Sequence, residues 1–480
     1  MRHTLKYMIL LVALAFVFKS CELPENVNPK AAQEASAKAL FSSAQFALID
    51  HVGSSNQNTN ISRLLAQYSA QTTYFSESRY NFMDRSIPDS YWTIFYRDVL
   101  NDLKEAKRVV NETPAWLYAE DKTAQLAAIE ILEVYAYHVL VDAFGNIPYT
   151  EALMGSENAT PAYDDAVTIY GKLITTLTNA ITALDNGGDA FAEYDLMYGG
   201  DADSWKMFAA SLKLRLGMRI ADQNPTLAKA TVESAYTAGV FSDRSQKAQV
   251  VYIGSNPYQS PLYEHFYVDN RKDFIPTNTI ISKMNALTDP RMDYYFRDKK
   301  GDVYLGGVYG SKNAYNNYSH FNMQMLDATY PSILIDYMEV EFLLAEAKER
   351  TFSVGTETAE QHYNNAITAS ILDWGADATA AANYLAQTNV AYTTATGTWK
   401  EKIGTQKWLG LYNRGVEGWA EWRRLDFPIL NVPSGLTYAD IPVRMPYPYD
   451  EDNLNLENYN AASTAIGGDK VSTKLFWDKN

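Results

Sequence analysis

A single cysteine among 480 residues excludes a disulfide framework and any thiolate metal site, both of which need several. Positive charge is also scarce. The 41 Lys+Arg face 57 Asp+Glu, and the net charge of −16 leaves no excess to neutralise nucleic-acid phosphates or anionic headgroups. The six histidines are scattered, with no HExxH, and the chain holds no GxSxG, no GxxxxGKS or GxxxxGKT, and no GxGxxG. These absences remove the motif-borne metalloprotease, hydrolase, P-loop and dinucleotide chemistries. Beyond the first twenty residues, no continuous apolar run reaches the roughly 18 residues of a spanning helix.

Tyrosine is abundant instead, with 35 copies against 9 Trp and 19 Phe. Its ring is apolar and its hydroxyl forms hydrogen bonds, which suits a contact surface as well as a core. The stretch 251–330 carries 11 of these tyrosines together with Pro257, Pro261, Pro276, Pro290, Gly306, Gly307 and Gly310. It reads as a loop-rich insertion, too aromatic to be disordered.

The first twenty residues form a separate object. Arg2, His3 and Lys6 precede an apolar run from Tyr7 to Phe18, too short to cross a bilayer but suited to the core of a secretory signal. Cys21 follows at once, with the polar stretch Glu22 to Lys30 after it. This order predicts a lipoprotein signal peptide over 1–20, acylation at Cys21, and a single domain over 21–480. Phe18 and Lys19 occupy places where such cleavage sites more often hold small residues.

The body reads as mostly α. Asp121–Phe144 puts Leu126, Ile129, Leu132, Ala136, Val139, Leu140 and Ala143 on one stripe, with Glu130 and Glu133 off it. Asp203–Ala221 repeats the pattern with Trp205, Phe208, Leu212, Leu216 and Ile220, leaving Lys206 and Lys213 to face away. Ser332–Arg350 does so with Ile333, Tyr337, Val340, Leu344 and Ala347. Shorter helices are predicted near 35–51, 62–69, 90–110, 165–184, 359–372 and 399–412, and helical hairpins are a plausible scaffold although no clean repeat period emerges. Glu339, Glu341 and Glu346, and the run Asp450, Glu451, Asp452, read as solvated surface. Asp450 and Asp452 offer oxygen ligands to calcium without EF-hand spacing, and no metal or cofactor site is assigned. Carboxylates far apart in sequence could still form a glycosidase pair.

Several stretches resemble the SusD/RagB-like nutrient-binding outer-membrane lipoproteins, in the SusD-like branch. They are Asn26-Val27-Asn28-Pro29, the helix end and turn from Tyr137 to Tyr149, Ser204 to Arg215, and Asp289-Pro290-Arg291-Met292. Glu339 to Ala347, Gly418 to Arg424, and Ile441 to Tyr459 complete the series in the expected order. On physical grounds Gly145 and Pro148 end a helix, while Trp205 and Trp419 supply core. The resemblance implies a tetratricopeptide-like helical scaffold carrying long aromatic-rich loops, set on the cell surface as the lid of a SusC-like TonB-dependent transporter. It also implies capture of oligosaccharides or oligopeptides without catalysis. A glycoside hydrolase and a purely structural lid are the alternatives.

A sugar packs its C–H face on an aromatic ring and bonds its hydroxyls to amides and guanidinium groups. Two segments, Gln71–Phe82 and Tyr304–Tyr318, combine those groups without a helical apolar pattern. The predicted ligand residues are Tyr74, Arg79, Tyr80, Asn81, Tyr309, Tyr315, Asn317 and Tyr318.

Overall fold

Helix starts are set locally by side chains that accept a free backbone N–H. Asp165, Asp201, Asn224, Thr277, Asp336 and Thr398 each cap a helix in this way, and Thr358 with Gln361 forms a capping box. The computed structural model describes residues 35–114 and 119–479, so the signal segment and Cys21 lie outside the described residues. The helices of ten or more residues are α1 (Ala37–Gly53), α2 (Asn101–Glu112), α3 (Ala119–Phe144), α4 (Ala166–Leu184), α5 (Ala202–Arg219) and α6 (Pro225–Ala238). They continue with α7 (Asn278–Leu287), α8 (Tyr337–Glu349), α9 (Ala359–Asp373), α10 (Trp399–Gly410), α11 (Gly415–Leu425) and α12 (Leu456–Ala465). Successive helices pack as hairpins, α3 on α4, α5 on α6, α8 on α9 and α10 on α11, and Ala37–Asn480 clusters as one compact unit. The fold is the mostly α, hairpin-built scaffold expected from the sequence.

Strands are few and short among the described residues: β1 (Ser69–Gln71), β2 (Lys247–Val250), β3 (Phe274–Pro276), β4 (Phe296–Arg297), β5 (His320–Phe321) and β6 (Ser332–Asp336). They pair antiparallel as β1–β3, β2–β6 and β4–β5. Two predicted helices are therefore shorter than expected. Ser62–Ser69 is helical only to Leu65 before β1 begins, and Ser332–Arg350 opens as β6, because Ile333 and Ile335 pair with β2 until Asp336 caps α8. Residues 251–330 contain α7, the whole β4–β5 pair and the strand β3.

Helix α3 is long and apolar enough to cross a membrane by composition, yet 72% of an apolar 18-residue window within it is buried inside the protein. Gly145 ends it at φ +89°, a left-handed cap that costs a glycine little. Trp205 and Trp419 are core, as expected. Lys213 does not face solvent: α5 is enclosed on all sides from Phe208 onward, and Lys213 is buried with it. Nor do Glu339, Glu341 and Glu346 form a solvated surface. They are buried, Glu339 and Glu346 against arginines and Glu341 against His362 and Asn365, because α8 lies between α5, α9 and α10.

Those partners form a buried ion network. Arg215 pairs with Glu339 at 2.7 Å, Arg219 with Asp142 at 3.0 Å, with Glu417 at 2.8 Å and with Glu421, and Lys407 with Glu421 at 2.7 Å. Arg424 bonds Glu346 at 2.6 Å. Helices α3, α5, α8, α10 and α11 are thus held by charge as well as by apolar packing. Burial works to raise the Glu421 carboxyl, but Arg424, Lys407 and Arg219 outweigh it and hold the group well below the usual range.

Candidate loop-borne binding face

The segment after β1 is anchored from beneath. Buried Gln71 donates to Glu77 at 2.7 Å and accepts from the Ser78 backbone at 3.0 Å, and Glu77 pairs with Arg85. Thr72 donates to the carbonyl of Lys272 at 2.5 Å, beside the β1–β3 pair. With its base held, the loop lifts Tyr74 to 61% exposure, with the Arg85 guanidinium 5.5 Å from its ring centre. Tyr80 takes φ +71°, a left-handed conformation that costs a large side chain energy and is sustained by the surrounding contacts.

The second segment folds onto the first. Asn313 donates to the Gln71 carbonyl at 2.8 Å, and Arg79 donates to the Gly310 carbonyl at 3.4 Å and to that of Ser434 at 3.0 Å. The Tyr80 and Tyr309 rings lie 6.3 Å apart. Burial pushes both phenols up, so both stay neutral. Gly310 permits this approach at φ +69°, since a Cβ there would lie 2.5 Å from Pro433. Tyr315 stacks on His320 at 3.9 Å, with Lys272 5.9 Å from its ring.

The two segments touch through Arg79, Tyr80 and Tyr309, and the predicted residues differ in exposure. Tyr74, Asn81 and Asn317 are exposed, Arg79, Tyr80, Tyr315 and Tyr318 are half-buried, and Tyr309 is only 2% exposed beneath Tyr80. Asn81 donates to Asp84 at 2.6 Å, so its amide is already partly engaged. The site also includes a segment that sequence reasoning missed, residues 431–440. Gln67 bonds the Asn431 backbone through both ends of its amide, at 2.7 and 3.0 Å, and Tyr438 is 43% exposed nearby. Its only sequence signal is the turn Pro433-Ser434-Gly435.

The face offers rings, amides and a guanidinium, with a histidine already fully engaged. His320 bonds Asp298 through Nδ1 at 2.6 Å and the Tyr315 carbonyl through Nε2 at 3.1 Å.

A family model described as "Starch-binding associating with outer membrane" matches residues 29–448, which include all three loop segments. The chain belongs to the SusD-like family. Solved SusD-like structures share its fold. A chitin-binding SusD homologue from Flavobacterium johnsoniae is 25% identical with a TM-score of 0.78, over 92% of this chain and 99% of that one. A SusD homologue from Bacteroides uniformis is 26% identical with a TM-score of 0.77, over 92% and 99%. Another from Bacteroides vulgatus is 26% identical with a TM-score of 0.76, over 92% and 94%. No curated protein sequence matches the chain.

Proposed function

We propose that this SusD-like chain captures oligosaccharides at the cell surface and passes them to a SusC-like TonB-dependent transporter, held at the outer membrane by lipid on Cys21. The observation that carries the reading is the anchored loop face, where exposed Tyr74 and half-buried Tyr80 and Tyr315 stand beside Arg79, Asn81, Asn317 and Tyr318. Such rings stack on sugar C–H faces while the amides and guanidinium bind hydroxyls. The family description and the chitin-binding name of a homologue 25% identical support a glycan over a peptide. The chain acts as a binding protein and not a hydrolase, with buried Tyr309 serving as the seat of Tyr80.

Titration calorimetry against chito-oligosaccharides, malto-oligosaccharides and a peptide panel tests the ligand. Saturable heat with one glycan class is expected. Release of shorter sugars by the purified protein would establish the hydrolase alternative, and absence of binding to every glycan and peptide would leave only a structural lid. Cys21→Ala should give a folded protein that no longer fractionates with membranes in cells lacking the transporter.

A further inference from the structure

A cavity of about 270 Å³ opens between the end of α1, the β2–β6 pair, the end of α9 and the turn joining α10 to α11. None of the eight predicted loop residues lines it, so it stands apart from the binding face. In its wall is Arg63, on the short helix Ser62–Leu65 and only 7% exposed. One of its nitrogens, Nη2, donates to the carbonyls of Gly53 at 2.8 Å and Asn413 at 3.0 Å. Nε and Nη1 have no protein partner, and no carboxylate pairs with this guanidinium among the described residues. Burial pulls its pKa down to about 10, so it remains a cation at neutral pH.

The other enclosed arginines are compensated. Arg215, Arg219, Arg291 and Arg424 all bond carboxylates. Arg423 has none among the described residues, but it donates to three carbonyls, at 3.2, 2.6 and 3.0 Å, and lies 3.6 Å over the Trp419 ring. The remaining charges at the cavity are matched, Arg414 by Asp336 at 2.8 Å and Lys247 by Asp373 at 3.7 Å. One positive charge is left over. Beside it the Tyr412 hydroxyl and Asn413 Oδ1 are buried without partners, and Asn413 is held at φ +74°.

A buried cation is costly unless an anion meets it, and a guanidinium suits a carboxylate. The volume is near the lower end of ligand sites, enough for one sugar-sized ring, and the lining includes the rings of Trp374 and Tyr412 and the polar groups of Gln249 and Ser332. We propose that this cavity binds a small carboxylate of the size of a single sugar acid, with Arg63 holding the carboxylate and Tyr412 and Asn413 bonding its hydroxyls.

Calorimetry on the full-length chain in detergent, with D-glucuronate, D-glucose and inorganic phosphate, tests this. Saturable binding of glucuronate is expected, with glucose weaker by about tenfold or more, the usual consequence of losing a charged hydrogen bond. Arg63→Gln should weaken glucuronate by about tenfold or more, and Tyr412→Phe by roughly three- to tenfold. Arg63→Gln also removes two bonds of the scaffold, whereas Tyr412→Phe removes only a hydroxyl without a protein partner and should melt like the parent. Tyr74→Ala on the loop face should leave glucuronate binding unchanged. The proposal is overturned by absence of glucuronate binding, by equal affinity for glucose, by phosphate binding in place of glucuronate, or by full affinity in both cavity variants. Loss of glucuronate binding in Tyr74→Ala would overturn it too, by assigning the sugar acid to the loop face.

Discussion

Arg219 and Arg79 carry the same group in opposite circumstances. Arg219 is sealed among Asp142, Glu417 and Glu421 in the middle of the helical scaffold, while Arg79 spans two loops and bonds only backbone carbonyls. In the network around Arg219 each charge is matched by another, so removing one strands its partner in a low-dielectric interior. On the loop face Tyr74, Asn81 and Asn317 are exposed and can change without leaving a buried orphan. A scaffold satisfied from within can carry a surface whose contacts remain available to something else.

The largest expected effect breaks the scaffold side of this contrast. Arg219→Met should destabilise the protein by about 3–5 kcal/mol, because three carboxylates lose their cation, and urea unfolding would measure it. A loss under 1 kcal/mol, taken as about the value of an exposed pair, would show that the network is not sealed as described.

On the loop side, Tyr74→Ala or Tyr315→Ala should weaken binding of the native glycan by roughly 1–3 kcal/mol, the value of covering an aromatic ring, with little change in melting temperature. Full affinity in both would move the site elsewhere, and loss of folding would place these rings in the core.

A pH series separates the two regions again. Burial pulls His51 and His138 down from 6.5 to about 3. The unfolded chain therefore takes up these protons below about pH 6.5 while the folded chain does not until near 3, and stability falls as pH drops through that window. The expected slope is about 1.4 kcal/mol per pH unit for each histidine. His51→Leu should remove one such share, since that ring sits against Tyr91 and Phe95 with neither nitrogen bonded. An unchanged slope in the variant would contradict it. The smallest effect is expected from Asn81→Ala, within about 0.5 kcal/mol of the parent in stability, because its one side-chain partner, Asp84, is exposed.

Periodicity and capping chemistry are local properties, and so the helices at 121–144, 165–184, 203–221 and 359–372 were legible within a few residues. The family was legible as well, because its motifs are short runs such as the turn after Phe144, where Gly145 must adopt positive φ. Helices α6, α7, α11 and α12 escaped notice: Pro225 opens α6, α7 lies inside the stretch read as loop, and α11 interleaves Glu417, Glu421, Arg423 and Arg424 with its apolar residues. Glu417 finds its partner only when Arg219, about 200 residues away, is brought beside it. Tyr74 and Tyr309 were equally plausible as contacts, and only the folding of one loop over the other left the first exposed and buried the second. The sequence by itself determined which segments could coil and which residue chemistries were available. Tertiary structure alone decided which charges are enclosed and which rings face outward, because burial depends on chain segments that are neighbours in space and distant in sequence.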